Sequence, residues 1–287
     1  MQIGIMPPLT APFCTPPVIA NIGRTAEARG FHSLWVPEHV LLFDEYTSRY
    51  PYTEDGILRA GREPAVLDPF ATLAFLAGVT STIRLGTGIC LVPQRNPVYT
   101  AKEVATVDVL SGGRVDFGVG IGWLAEEFAA LNVPWPRRAA RTREYLDVMR
   151  SLWTEAVSSF DGEFYHLESS RQYPKPVQKP HPPIIFGGES PAALKRVAEV
   201  GNGWFGFAVT PDDTKAHIAT IETLAAKVGR SRKDLHISIR PAETRVTRAL
   251  VDEYAQLGVD QVIIVAGART EEDMIRRIDE LATEVIA

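Results

Sequence analysis

Glu38 and His39 stand side by side directly after the apolar run Ser33–Val36. An imidazole titrates near neutrality, so it can donate or accept a proton, and a carboxylate beside it can tune the exchange. The pair has an equally good structural reading, in which the ring caps a loop or hydrogen-bonds within a polar core. Three glycine-bearing stretches follow other apolar runs: Gly86-Thr87-Gly88-Ile89-Cys90, Gly118-Val119-Gly120-Ile121-Gly122-Trp123 and Gly187-Gly188-Glu189-Ser190. Glycine lets a backbone come close to a flat ring or a phosphate and reaches φ > 0 without strain. Gly187-Gly188 also precede a helix start at Ser190-Pro191, whose free N–H groups can receive an anion. Any one of these stretches is equally a tight turn; three on one rim suggest a planar cofactor with a phosphate tail. The Gly118–Trp123 run is not a dinucleotide fingerprint, because its last glycine is misplaced and its strand is fourth in order rather than first. His32, His166, His181, His217 and His236 read as surface or structural residues.

These residues need a scaffold that brings them together, and the chain repeats a strand–helix unit. Strands are expected at Ile3–Met6, Ser33–Val36, Ile83–Leu91, Val115–Val119, Ile184–Phe186, Trp204–Phe207, His236–Ile239 and Gln261–Val265. Continuous Val/Ile/Leu/Phe runs are typical of strands buried on both faces of a parallel sheet. Helices open at Asp68-Pro69, Asn96-Pro97, Ser190-Pro191 and Thr210-Pro211, each a capping side chain followed by a proline whose missing N–H costs nothing there. A further helix runs from Arg137 to Trp153, and Thr270 starts the last one. Two segments break the rhythm: an aromatic and polar insertion over Leu41–Val66, and an excursion over Phe160–Pro183 whose alternation suggests a hairpin. Eight strand–helix units predict an α/β fold, a (β/α)8 TIM barrel with insertions, as one domain over residues 1–287. An open doubly wound sheet is the alternative. In a barrel the site lies at the C-terminal ends of the strands, where all the residues above fall.

With 287 residues and 45% hydrophobic content, the chain can bury one large core. A net charge of −5 with interspersed signs argues against nucleic acid as a partner. Cys14 and Cys90 form no CxxC pair and have no His/Cys cluster around them, so neither a disulfide framework nor a metal site is expected. The start, Met1-Gln2-Ile3-Gly4, lacks the pattern of a signal peptide, and no run of about 18 apolar residues suggests a membrane span. A cytoplasmic location is expected.

Four stretches, Phe31–His39 (after Gly30), Leu85–Pro97, Leu110–Trp123 and Pro182–Ser190, together resemble the luciferase-like monooxygenase superfamily, and most of all its coenzyme F420-dependent subgroup. The run from Arg141-Thr142-Arg143-Glu144-Tyr145 to Leu152-Trp153-Thr154 is also similar. The resemblance implies a deazaflavin lying across the barrel mouth, with a non-proline cis peptide at Gly88–Ile89 behind it. It implies that Glu38 contacts the cofactor, that His39 sits near substrate and ring edge, and that Gly120, Gly122, Trp123, Gly187, Gly188 and Ser190 contact the tail and phosphate. A homodimer and hydride transfer at the deazaflavin C5 are implied as well, with His39 as proton donor or acceptor tuned by Glu38. Two departures weigh against sugar-phosphate substrates. Trp123 stands where those relatives carry a glutamate, with Glu126 and Glu127 a turn later, and Phe207-Ala208-Val209-Thr210 lacks their basic cluster. Trp123, Trp204 and Phe207 suggest an apolar small-molecule substrate. The rival readings are an FMN-dependent monooxygenase on the same barrel and a non-catalytic cofactor-binding barrel.

Overall fold

The computed structural model describes residues 1–59 and 65–286. The strands and helices are β1 (Gln2–Met6), α1 (Pro16–Ala28), β2 (Ser33–Val36), α2 (Pro69–Val79), β3 (Arg84–Thr87), β4 (Cys90–Leu91), α3 (Pro97–Ser111), β5 (Val115–Gly120), α4 (Ala125–Ala130), α5 (Arg138–Thr154), β6 (Ser158–Asp161), β7 (His166–Ser170), β8 (Ile184–Gly187), α6 (Pro191–Val200), β9 (Gly203–Val209), α7 (Pro211–Ala226), β10 (His236–Pro241), α8 (Arg248–Gln256), β11 (Gln261–Val265) and α9 (Glu271–Val285). Parallel pairing runs β1–β2–β3–β5–β8–β9–β10–β11 and returns to β1. Eight strands therefore close a barrel, and the open-sheet alternative is excluded.

The helices start where side chains can satisfy their first N–H groups. Asp68 accepts from the Ala71 N–H, Asn96 from Val98 and Tyr99, Ser190 from Ala193, Thr210 from Asp213 and Thr270 from Asp273. Gly112, at φ 69°, ends α3 in the left-handed conformation that glycine tolerates best.

The core has two parts. The larger fills the space between strands and helices. The smaller is built only from strand residues, Met6, Trp35, Ile185, Phe205 and Ile263, with Ile89 and Phe207 packed on it. It fills the barrel interior just below the C-terminal rim. Deeper still, Ser33 accepts from Trp35 Nε1 (2.7 Å) and from Gln261 Nε2, while Ser238 donates to Gln261 Oε1 (3.1 Å). Gly4 makes room for this polar layer, since a Cβ there would lie 2.6 Å from Ser33 Oγ.

The expected strand Ile83–Leu91 is two pieces. Gly86 faces Asp116 and Cys90 faces Val119, so four steps on one strand oppose three on the other. That mismatch is a bulge at residues 87–89, and the Gly88–Ile89 peptide within it is cis. A hydrophobic run looks the same with or without a bulge, which is why pattern alone joined the halves. The excursion does hold an antiparallel hairpin, β6–β7. The described parts of the insertion, 41–59 and 65–66, form neither helix nor strand; the rest of that expected segment lies outside the described residues.

Candidate functional site

A cavity of about 480 Å³ opens at the C-terminal ends of the strands. All ten residues singled out in the sequence line it. Glu38 and His39 follow β2, Gly88 and Ile89 form the bulge after β3, Gly120, Gly122 and Trp123 end and follow β5, and Gly187, Gly188 and Ser190 end and follow β8. Met6, Phe205 and Phe207 form its apolar floor.

Two of the glycines are glycines for a reason other than closeness to a ligand. A Cβ on Gly120 would stand 2.1 Å from Ile89 Cδ1, and one on Gly187 would stand 2.8 Å from the same atom. The Ile89 side chain thus occupies the space that these residues leave, and the bulge is wedged between β5 and β8. Gly122 (φ 76°) and Gly188 (φ 105°) are glycines for backbone reasons.

His39 and Glu38 do not form the pair their adjacency suggested. Glu38, 4% exposed, makes no hydrogen bond with the imidazole; it accepts from Arg95 Nε (2.6 Å) and from the Leu91 N–H. Arg95 also pairs with Glu103 and Asp68, both at 2.8 Å, and lies over the Phe70 ring. This network braces the bulge from behind. The carboxylate beside His39 is instead Glu127 on α4, whose Oε2 lies 3.3 Å from Nδ1. Glu127 also accepts from Val40 N–H (2.6 Å), Leu41 N–H (3.1 Å) and Gln94 Nε2 (3.0 Å). Burial opposes its ionisation, but hydrogen bonds from His39 and Gln94 outweigh that and hold the carboxyl below its usual range.

The insertion folds back over the cavity. Tyr46 and Tyr50 stand edge-on to Trp123, with centroids 5.7 and 5.1 Å away, and His39 does so at 5.8 Å. Tyr52 packs on Phe207 at 4.6 Å. Carboxylates fasten the segment. Glu126 accepts from the N–H and hydroxyl groups of Thr47 and Ser48. Glu189 accepts from Tyr52 OH (3.1 Å) and from Phe207 N–H (2.8 Å), and burial pushes its carboxyl upward.

Sequence reasoning missed Arg196. It lies within α6, six residues after Ser190, is 9% exposed and lines the cavity. Its Nε has no hydrogen-bond partner among the described residues. Burial disfavours its charge, and so do the neighbouring Arg143 and Arg138. Arg138 stacks 3.6 Å over Trp135 and donates from Nε to the Gly122 carbonyl (3.3 Å). A buried cation without a counter-ion is costly unless a ligand completes it. In sequence Arg196 was one more charge on a helix, with nothing to mark its direction.

Among the described residues, no group of three or more His, Cys, Asp or Glu could hold a metal ion, and no helix is long and apolar enough to cross a membrane. Cys14 and Cys90 are both free.

The family described as luciferase-like monooxygenase matches residues 9–278. An uncharacterized protein of Mycobacterium tuberculosis is 34% identical over 271 residues, 93% of each chain. An FMNH(2)-dependent dimethylsulfone monooxygenase of Pseudomonas putida is 35% identical over 141 residues, covering 48% of this chain and 39% of its own. The fold is also that of the coenzyme F420-dependent tetrahydromethanopterin reductase of Methanopyrus kandleri, with a TM-score of 0.77, 20% identity and coverage of 99% and 98%.

Proposed function

Because this chain belongs to the luciferase-like monooxygenase family, we propose that it is an F420-dependent oxidoreductase, in which the bound deazaflavin exchanges a hydride at C5 with a small, fairly apolar substrate. The residues present fit such a group. Arg196 Nε is an orphaned buried donor at the cavity wall. The N-terminus of α6 and the left-handed Gly188 add N–H groups beside it, an arrangement that favours an anion. Ile89 and the floor of Phe205 and Phe207 offer an apolar surface for a planar ring. Gly120, Gly122, Trp123, Gly187 and Ser190 complete the cofactor's surroundings.

The chain's own work is then orientation, exclusion of water and proton movement. His39 donates or accepts the proton that accompanies hydride transfer. Glu38 acts through Arg95 and the Leu91 N–H to hold the bulge behind the ring. Tyr50, Tyr52 and Trp123 close an apolar chamber over the substrate. Reduction of the substrate is the preferred direction.

One observation carries this reading: a single cavity holds both an imidazole after β2 and an unpaired buried guanidinium after β8, three strands further round the barrel. Titration with F420 and with FMN, followed by tryptophan fluorescence, tests it. Saturable quenching by F420 is expected; a response to FMN alone would establish the rival reading, an FMN-dependent monooxygenase. The relative that acts with FMNH(2) supports that rival. Oxidation of reduced cofactor by a panel of enones and quinones separates both from a binding-only barrel. A homodimer in the cytoplasm belongs to the same proposal: exposed Tyr99 and Leu110 on α3 are apolar side chains of the kind an interface covers, and sedimentation at micromolar concentration should give a two-chain species.

A further inference from the structure

We infer that Glu127 is the positioning residue of His39: it fixes the proton of the neutral ring on Nδ1 and so turns the Nε2 lone pair toward the cavity. The inference rests on the reading of His39 as the proton-transfer group given above.

The geometry is specific. Glu127 is the carboxylate at hydrogen-bond distance from the ring, and its side chain is 0% exposed while that of His39 is 16% exposed. Each of its oxygens already has a task. Oε1 takes the Val40 and Leu41 N–H groups, and Oε2 takes Gln94 Nε2 and His39 Nδ1. An ionised carboxylate only accepts, so Nδ1 must donate, and the tautomer follows. The other charged neighbour, Glu38, is committed to Arg95 and the Leu91 N–H. The Trp123 ring, edge-on to the imidazole, carries no charge. Nε2 makes no hydrogen bond to any described residue and belongs to a side chain that lines the cavity.

The same carboxylate ties this choice to the insertion. Val40 and Leu41 are the first residues beyond His39, so the bonds that hold the ring also hold the start of the cover. If the carbon bearing a substrate hydroxyl gave its hydride to the deazaflavin of the proposed function, the hydroxyl would give its proton to Nε2, and the positive ring that resulted would be stabilised by Glu127. In the reverse direction Nε2–H returns the proton to the substrate oxygen. Apart from the deazaflavin, which would take or supply the hydride, no co-reactant is needed.

Glu127→Gln tests this with little disturbance. The new amide oxygen still serves Val40 and Leu41. Its NH2 group meets Gln94, whose Oε1 is a buried atom without a partner, so a flip of the Gln94 amide accepts the new donor. The second amide hydrogen faces Nδ1 and forces the ring proton onto Nε2. The expected results are three. Nitrogen-15 NMR of the cofactor-free protein, at a pH where the ring is neutral, shows Nδ1 protonated in the wild type and Nε2 protonated in Glu127→Gln. Turnover falls about 10- to 1,000-fold with cofactor affinity retained. The double variant His39→Ala/Glu127→Gln is no slower than His39→Ala. A wild-type ring protonated on Nε2, a variant that keeps the wild-type tautomer, or equal losses from Glu127→Gln with and without His39 would each overturn the inference. The wild-type spectrum needs neither variant nor activity, so it decides the tautomer even if the assignment of F420 chemistry fails.

Discussion

Substituting Gly120 by alanine separates two explanations of the glycine-rich rim. Gly120 is not at positive φ, so alanine is allowed by its backbone and should stabilise by about 0.4–1 kcal/mol through the unfolded chain. Against this, the new methyl would stand 2.1 Å from Ile89 Cδ1 and 3.0 Å from Cγ1. Ile89 is held by the bulge and by Gly187 on its other side, so it cannot swing away freely. Overpacking of this kind costs about 1–3 kcal/mol, which exceeds the gain. For a chain of this size a melting-temperature loss of about 2–10 °C follows. Cofactor affinity should fall too, because the one free direction for Ile89 is into the cavity. Ile89→Val deletes Cδ1, the worst contact, at about 0.5–1.5 kcal/mol on its own. Combined with Gly120→Ala it should recover part of the loss, with a coupling of about 1 kcal/mol. Differential scanning calorimetry of the four proteins in the cycle gives the answer. A Gly120→Ala protein that melts at or above the wild type, or a double variant that merely sums the single losses, would refute the wedge and return Gly120 to the role of ligand neighbour.

His39→Ala should lower turnover about 10²–10⁴-fold while cofactor affinity holds; equal losses in both, by stopped-flow and fluorescence titration, would indicate a binding role. Arg196→Met keeps the aliphatic stem and removes an unpaired buried charge, so the ligand-free protein should be no less stable, while the dissociation constant for the cofactor rises about 10- to 100-fold; unchanged affinity in calorimetric titration would exclude it from the anion site. Glu27 has its carboxyl drawn down to about 2: burial opposes this, but N–H donors of Thr82, Ile83 and Ser81 prevail. Its folded pKa is depressed, so its contribution to stability is present above about pH 5 and lost as pH falls toward 2. Urea midpoints should therefore converge between wild type and Glu27→Gln in acid and diverge near neutrality, and parallel curves would contradict the assignment.

The barrel was legible because its signals are local. Each of the pairs Asp68-Pro69, Asn96-Pro97, Ser190-Pro191 and Thr210-Pro211 announces a helix within two residues, and the apolar runs between them have the pattern of doubly buried strands. The rim was legible for the same reason, since a residue that directly follows a barrel strand must stand at the mouth. Every one of the ten sites so chosen lines one cavity. What sequence could not give is which rim residues meet. His39 and Glu127 lie 88 positions apart, and Tyr52 and Glu189 lie 137 apart. Adjacency misled in the case of Glu38, whose carboxylate is taken up by Arg95 and the Leu91 N–H.

The same point explains why the carboxylates, rather than the aromatics, were the hardest residues to read. Trp123 and Phe207 announce an apolar chamber by type alone. Glu126, Glu127 and Glu189 look like ordinary surface charge, two of them on a helix of six residues. Their work is to accept hydrogen bonds from an insertion that makes no helix or strand of its own in its described part. An irregular segment has N–H groups that no ladder satisfies, and these must find acceptors wherever it is buried. A long insertion over a barrel mouth therefore requires acceptors on the neighbouring loops. The short acidic run after β5 is the place to look for them, even where the partner residues are far away in sequence.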